Sequence, residues 1–475
     1  MIKKFFYAAM ACGLLAFVMS CEDQKFNNIN VDVDRVELDH LTEDMIKVRD
    51  YVPEYAVVAH RGSTFWAPEE TEAAYRWARE IGADYLECDM QVSKDGVVLA
   101  LHDDNLKRTT NIENVFGETL PFDIRKAYYQ KIGYTEAEAD SLTRVDAKNF
   151  VPNLPAYYTY EELSMLDAGT WFNETSIEQA RPSFSEQHQY VSTLEDLVNF
   201  ARGKILKRDG DGQRVFTIGQ KTGEKIKSLS GTADLIKYTF EYEADPEDTG
   251  HRPGIYIEFK EPWLNPTGFE ELVYEELDRL DMNIITKPEA ENTPFYVNGK
   301  VNTGNTNGKV ILQTFSLESL VRIAEHYKGQ VPMCFLLWKG TGATDLTYDD
   351  PQGYASFINL AVKYKAHFIG PCIAGAPNNY PELNYPWQHN LIHRAKMKNH
   401  PYSFDTYDQM AKYFGQYNWG SDGGSRYEAP YLDAFFTNHT DMSLQYMVDF
   451  GYRKSPAPTE IPDAREVLDN LGYEK

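Results

Sequence analysis

The feature that most constrains this chain is an alternation, from Tyr55 onward, of short apolar runs with longer stretches of helical period. Strands are expected to start at Ala56, Asp84, Val97, Ile255, Val310, Met333, His367 and Leu432. Helical stretches fall between most of them, among them 69–81, 193–201, 268–280, 317–327 and 354–364. Strands that alternate with helices build βαβ units around a parallel sheet. Eight of them suggest closure into an α/β fold, the (β/α)8 TIM barrel, which needs about 250 residues and tolerates long loop insertions. The surplus length is polar, turn-rich and poorly periodic at 104–190 and 203–253. Both segments are read as insertions on the loops of one domain spanning 51–475, and Asp209-Gly-Asp-Gly212 within the second as a tight turn.

The first residues have to be set aside before any fold is considered. Met1-Ile-Lys-Lys4 is positive, 5–18 is a run of apolar and small residues, and Ser20-Cys21 follows. This is the pattern of a secretory signal over 1–20, and the run is shorter than the ~20 residues that a membrane-spanning helix needs. Its Ser20-Cys21 end resembles a bacterial lipoprotein signal, which makes Cys21 the expected lipidation site and an exported lipoprotein the expected product. Glu22 and Asp23 resemble the surface-export signal of some outer-membrane lipoproteins, so the outer membrane is the expected location. Residues 21–50 are polar and without clear period, and are read as a tether. Membrane attachment is expected through the lipid alone. Cys88, Cys334 and Cys372 have no metal-binding spacing and are expected to be buried free thiols.

Charge excludes one class of partner. The formal net charge is -25, and such a surface repels phosphate backbones, which argues against nucleic acid. A site that handles a phosphate must therefore generate its own local positive field.

Four stretches place polar residues on otherwise apolar strands: Val57-Val58-Ala59-His60-Arg61-Gly62, Tyr85-Leu86-Glu87-Cys88-Asp89, Val98-Leu99-Ala100-Leu101-His102-Asp103 and Tyr256-Ile257-Glu258-Phe259-Lys260. Successive strand residues face opposite sides, so Glu87 and Asp89 share a face while Cys88 points away. Glu258 and Lys260 share one likewise. Charges inside a barrel are costly unless paired or bound to a metal, but at the C-terminal ends of the strands the interior opens into the active-site mouth. Glu87, Asp89 and Glu258 would there form an oxygen cage for a divalent cation, Ca2+ first and Mg2+ second. His60 and His102 offer an acid and a base, and Arg61 and Lys260 positive charge for an anionic substrate. Any one of these signals alone fits a structural role, such as a hydrogen-bonded histidine or a salt-bridged strand pair.

The ordered series of His60-Arg61-Gly62, Pro68-Glu69, Thr71, Glu87-Cys-Asp89, Lys94-Asp95-Gly96, His102-Asp103 and Arg108-Thr109-Thr110 closely resembles the glycerophosphodiester phosphodiesterases. Glu161-Glu162-Leu163, Leu166-Asp167-Ala168-Gly169, Thr193-Leu194-Glu195-Asp196, Glu258-Phe-Lys260 with Pro262-Trp263, Gln313-Thr-Phe-Ser316 and Phe435-Phe-Thr437 continue it over roughly 55–450. The stretch from Gly254 to Trp263 is most similar to the exported bacterial branch.

The resemblance implies hydrolysis of glycerophosphodiesters, as small-molecule substrates, to glycerol 3-phosphate and an alcohol. It places the divalent cation on Glu87, Asp89 and Glu258, acid and base catalysis on His60 and His102, and the phosphate on Arg61 and Lys260. It also implies attack on phosphorus by the neighbouring glycerol hydroxyl, followed by hydrolysis of the cyclic phosphate. Glu70, Tyr402-Ser403 and Asn438 depart from the family pattern and are expected to change the mouth and the substrate rim. Two other readings are a phospholipase-type phosphodiesterase acting on (lyso)phospholipids, with Phe65-Trp66 in an apolar rim, and a catalytically silent surface binding protein. Two titratable histidines argue against the latter.

Overall fold

Eight parallel strands form the centre of a computed structural model that describes residues 33–220, 223–229, 231–339, 348–416 and 430–475. With the hairpin strand included, the strands are β1 Ala56–Ala59, β2 Tyr85–Val92, β3 Val98–Ala100, β4 Gly254–Phe259, β5 Val310–Thr314, β6 Met333–Leu337, β7 Phe368–Pro371, β8 Lys398–Asn399 and β9 Ala434–Thr437. Across the sheet the order is β8-β7-β6-β5-β4-β2-β1-β9, with every neighbouring pair parallel. The two ends then meet. The Asp433 amide donates to Asn399 O at 2.8 Å, Phe404 to Phe436 O at 2.8 Å and Phe436 to Pro401 O at 3.1 Å. The fold is the expected α/β barrel.

One of the expected barrel strands is not in it. The stretch at Val97 forms β3, which pairs antiparallel with β2, Val98 opposite Val92 and Ala100 opposite Met90. The turn at Lys94-Asp95-Gly96 is too short for the crossover that parallel pairing needs. The missing barrel strand is β8, which is only two residues long. His102 therefore follows a hairpin strand rather than a barrel strand.

Side-chain parity separates two cores. Ala56, Val58, Tyr85, Tyr256, Cys334 and Phe436 pack inside the barrel. Val57, Leu86, Cys88, Ile257 and Phe335 pack outward among the helices. Helix Glu72–Ile81 shows how closely that outer layer fits: all ten of its residues are buried, and the Trp77 indole donates to Ala464 O at 2.9 Å. Cys88, Cys334 and Cys372 are buried free thiols.

The two expected insertions are ordered. The stretch 104–190 carries helices Phe122–Lys131 and Glu136–Asn149, and 203–253 carries three short antiparallel pairs. Leu99, Leu106, Tyr128, Tyr160, Tyr238 and Phe240 join both segments to β3 in a satellite core. Asp209 Oδ1 accepts the Asp211 and Gln213 amides at 2.9 Å, which closes the expected turn.

Residues 33–50, part of the stretch read as a tether, pack on the barrel. Val33, Val36, Leu41 and Met45 join the main core, and helix Glu43–Arg49 starts at a Thr42 cap. The apolar residues fall at irregular intervals of three, five and four among charged ones, so no period marks the segment in the sequence. The signal 1–20 and Cys21 lie outside the described residues. Among the described residues no helix is long and apolar enough to cross a membrane.

Candidate active site

Register brings the acidic residues together. Asp89 on β2 pairs with Glu258 on β4, and Glu258 with Gln313 on β5. Partners in register share a face, so these three form a row on the inner wall with Glu87 two residues behind Asp89. Glu87, Asp89 and Glu258 are buried and offer oxygens within 4.8 Å of one another.

The electrostatics of the cluster favour a cation. Burial and the Asp89 charge push Glu87 well above the carboxylate range. Burial and Asp89, opposed by Lys260, hold Glu258 up at about 8. Asp89 goes the other way, because burial is outweighed by Lys260, His102 and Arg61. One carboxylate thus keeps its charge while its neighbours resist ionising beside it, more negative charge than the local cations balance. Asp89 Oδ2 and Gln313 Oε1 are also buried without a hydrogen-bond donor among the described residues. A hard divalent cation suits this all-oxygen donor set.

Two positive side chains flank the cage. The Arg61 amide donates to Glu87 Oε2 at 2.7 Å, and its Nε lies 3.3 Å from Asp89 Oδ2. Lys260 Nζ lies 3.5 Å from Glu258 Oε1 and 3.7 Å from Asp89 Oδ1. Arg61 takes its place in a tight left-handed turn (φ 52°) leading into Gly62 at φ 80°. A Cβ on Gly62 would stand 2.7 Å from Ala74 Cβ, so the turn lies directly on helix Glu72–Ile81.

Both histidines are held through Nδ1. His60 Nδ1 is 2.6 Å from Asn438 Oδ1, and the Asn438 amide nitrogen donates to Asp405 Oδ1 at 2.5 Å. The carboxylate fixes the amide, and the amide oxygen can only accept, so Nδ1 carries the proton and Nε2 the lone pair. His102 Nδ1 is 2.5 Å from Asp103 Oδ1, and its Nε2 is 3.0 Å from Lys260 Nζ. Burial and Arg61 lower both imidazoles, His60 to about 3. Asp103 is steadied in turn by Arg108, which also bonds Glu69, and Glu69 lies 3.5 Å from Arg61.

The three carboxylates, Arg61, Lys260, the two histidines, Asp103 and Gln313 line one cavity of about 300 Å3. The rest of its lining is largely aromatic, with Phe315, Trp338, Tyr380, Tyr402 and Phe436 beside Ser403. His60, Arg61, Glu87, Asp89, His102, Glu258 and Lys260 are thus brought together as expected.

The roles of Asn438, Gln313 and the Asp103-Arg108-Glu69 chain were not anticipated, although all of them fall in or beside the quoted motifs. Glu70 is placed differently from expectation. It is buried and accepts the Asp89 amide at 2.7 Å beside the cage, and it does not line the cavity. Asn438 likewise supports His60 and does not line the rim, whereas Tyr402 and Ser403 do line the cavity. Phe65 stacks on His439 with ring centres 3.9 Å apart, and the Trp66 indole donates to Asp441 at 3.0 Å, so the pair is loop packing rather than cavity wall.

Residues 60–255 match the model of the Glycerophosphoryl diester phosphodiesterase family. Glycerophosphoinositol inositolphosphodiesterase GDPD2 of Mus musculus is 27% identical over 269 residues, which cover 54% of this chain and 44% of that protein. Glycerophosphodiester phosphodiesterase of Bacillus subtilis (strain 168) is 24% identical over 397 residues, covering 83% of this chain and 86% of its own. Among solved structures, an Oleispira antarctica phosphodiesterase in complex with the product sn-glycerol-3-phosphate covers 83% of this chain and 97% of its own, at 14% identity and a TM-score of 0.42. The chain therefore spans less than half of the mouse relative and most of the Bacillus one.

Proposed function

We propose that this chain, which belongs to the glycerophosphoryl diester phosphodiesterase family, hydrolyses glycerophosphodiesters to glycerol 3-phosphate and an alcohol with the help of a divalent cation. The observation that carries the reading is the convergence in one cavity of a three-carboxylate cage, two cationic side chains and two histidines with oriented tautomers.

Glu87, Asp89 and Glu258 would hold the cation, Ca2+ in preference to Mg2+. Bound there, it would supply positive charge to a phosphoryl oxygen as that oxygen's charge develops. Arg61 and Lys260 donate to the remaining phosphate oxygens and hold the diester against the cage. His60 Nε2 takes the proton of the glycerol hydroxyl next to the phosphate, and that oxygen attacks phosphorus. The bond from phosphorus to the departing alcohol breaks, and His102 protonates the alkoxide. The partners support the assignment. His102 is backed by the Asp103 carboxylate and can stabilise a positive ring, whereas His60 is backed by a neutral amide. With Lys260 turned to the phosphate, His102 Nε2 is left facing the departing oxygen. In the second half His102 takes a proton from water, the resulting hydroxide opens the cyclic phosphate, and His60 returns its proton to the glycerol oxygen.

The test is release of glycerol 3-phosphate from glycerophosphocholine by the purified chain, with and without a chelator. Turnover that chelation abolishes and Ca2+ or Mg2+ restores is expected. Absence of release under any metal would overturn the reading. The N-terminal sequence supports a further proposal, an exported lipoprotein acylated at Cys21 and held at the outer membrane. Incorporation of labelled palmitate that is lost in Cys21→Ser tests it.

A further inference from the structure

At the opposite end of the barrel from the cavity, two histidines and an aspartate converge outside any part of the phosphodiesterase site. His389 and His393 are four residues apart on helix Pro386–Arg394, and Asp433 directly precedes β9. Residues at i and i+4 share a helix face, and here their ring centres are 4.0 Å apart. One ring nitrogen of each and one Asp433 oxygen lie within 4.8 Å of one another. His393 Nε2 is already 2.8 Å from Asp433 Oδ2.

The His389 Nδ1 lone pair has only a shared donor. Asn399, fully buried, directs its one amide nitrogen at three acceptors: Asn384 Oδ1 at 2.7 Å, Tyr431 O at 2.9 Å and His389 Nδ1 at 3.0 Å. An amide NH2 has two protons, and the two shorter bonds use them. The Asn399 side-chain oxygen finds no partner among the described residues, so turning the amide round would only set it against two other oxygens. His389 Nδ1 therefore has at most a shared donor in Asn399, and a ring nitrogen of His389 lies with one of His393 and an Asp433 oxygen at the spacing of a three-ligand metal site.

We propose that His389, His393 and Asp433 form a second metal site, one for a borderline transition ion such as Zn2+ rather than for the hard cation of the catalytic cage. Two imidazoles and one carboxylate suit Zn2+, with solvent completing the tetrahedron. The way in is open, because the His393 side chain is 45% exposed and its ring can swing to shorten the ligand distances. On binding, the proton that His393 shares with Asp433 moves to the solvent side of the ring, leaving Nε2 to the ion. The site lies on the seam of the barrel. Asp433 accepts the Asn399 amide at 2.7 Å through Oδ2 and donates its own amide to Asn399 O at 2.8 Å. An ion there would staple helix Pro386–Arg394 to the two strand ends that close the sheet.

The experiment titrates the chelator-stripped full chain with Zn2+ by calorimetry, with Ca2+ in excess to fill the acidic cage, and follows Tm in parallel. One equivalent is expected to bind and raise Tm. His393→Ala, an exposed change that leaves the core intact, should weaken binding at least tenfold and remove the rise in Tm. His393→Cys, which restores a soft ligand, should recover both in part. A Zn2+ isotherm and Tm response that are the same in the chain and in His393→Ala would overturn the site, as would no binding at all.

Discussion

Asn438 Oδ1 lies 2.6 Å from His60 Nδ1, joining strand ends 378 residues apart, and the far side of the same amide is anchored on Asp405. The imidazole is therefore oriented by a neutral group, and the charge that fixes that group sits one bond further out. Replacing Asn438 by Ala removes the tautomer control and should lower kcat about 10–100-fold with little change in KM, by analogy with other outer-shell partners of an active imidazole. Asn438→Asp puts a carboxylate against Nδ1. That stabilises the imidazolium, so the acid limb of the kcat/KM profile should move to higher pH. Steady-state kinetics across pH on both variants test the two effects together.

The carboxylate cage makes an opposite pair of predictions for stability with and without metal. Glu87 and Glu258 are pushed up by burial and by Asp89, so the cage destabilises the fold when no cation offsets it. Excess Ca2+ at about 100 times its Kd should stabilise the chain by about 2.7 kcal/mol, visible as a higher Tm. Glu258→Gln should raise Tm in the presence of chelator and abolish both the Ca2+ response and turnover. A Glu258→Gln chain that unfolds earlier than the parent under chelation would contradict the repulsion argument.

Gly62 is required by both conformation and space. Its φ of 80° lies in the left-handed region, and a Cβ would meet Ala74 Cβ at 2.7 Å and the Ala74 carbonyl carbon at 3.0 Å. The strained backbone costs roughly 1–2 kcal/mol and the overlap roughly 1–3 kcal/mol. Gly62→Ala should therefore destabilise by about 2–5 kcal/mol in denaturant unfolding. Because the turn also carries Arg61, substrate affinity should fall along with stability.

The three carboxylates of the candidate site were legible in the sequence because strand parity decides which side chains share a wall. Glu87 and Asp89 face inward and Cys88 outward, as two-residue periodicity requires. The barrel was legible from the alternation of apolar runs with helical stretches, but one strand was not. Lys398–Asn399 is too short and too polar to stand out, while the longer apolar run at Val97 is a hairpin arm. The supports of the site were hidden for a different reason. Asn438 meets Asp405 and His60, and Arg108 meets Glu69, across 33, 378 and 39 residues, so no local pattern links them. Residues 33–50 pack on the barrel although they read as a tether, because Val33, Val36, Leu41 and Met45 are scattered among charged residues with no regular period.

Acid stability should depend on a buried cluster far from the chemistry. Asp245, with its side chain fully buried, accepts Arg76 Nε at 2.7 Å and Arg79 at 2.5 Å, which ties the second insertion to helix Glu72–Ile81. Burial alone would raise this carboxyl, but the hydrogen bonds and charges of Arg76 and Arg79 outweigh it and hold it at about 2. A carboxylate whose pKa is lower folded than unfolded stabilises the fold above its unfolded value and loses that contribution as pH falls towards the folded one. The window here is therefore about pH 4 down to about pH 2, and the contribution near neutral pH is about 2–3 kcal/mol. Asp245→Asn should remove the pH dependence in that window. It should also cost more than this amount at pH 7, because it leaves two buried guanidinium groups short of their counter-charge. Urea unfolding of both chains at pH 7 and pH 3 gives the comparison. If the difference in stability between them stays the same at the two values, Asp245 does not carry the acid sensitivity, and the network around Arg76 acts by packing alone.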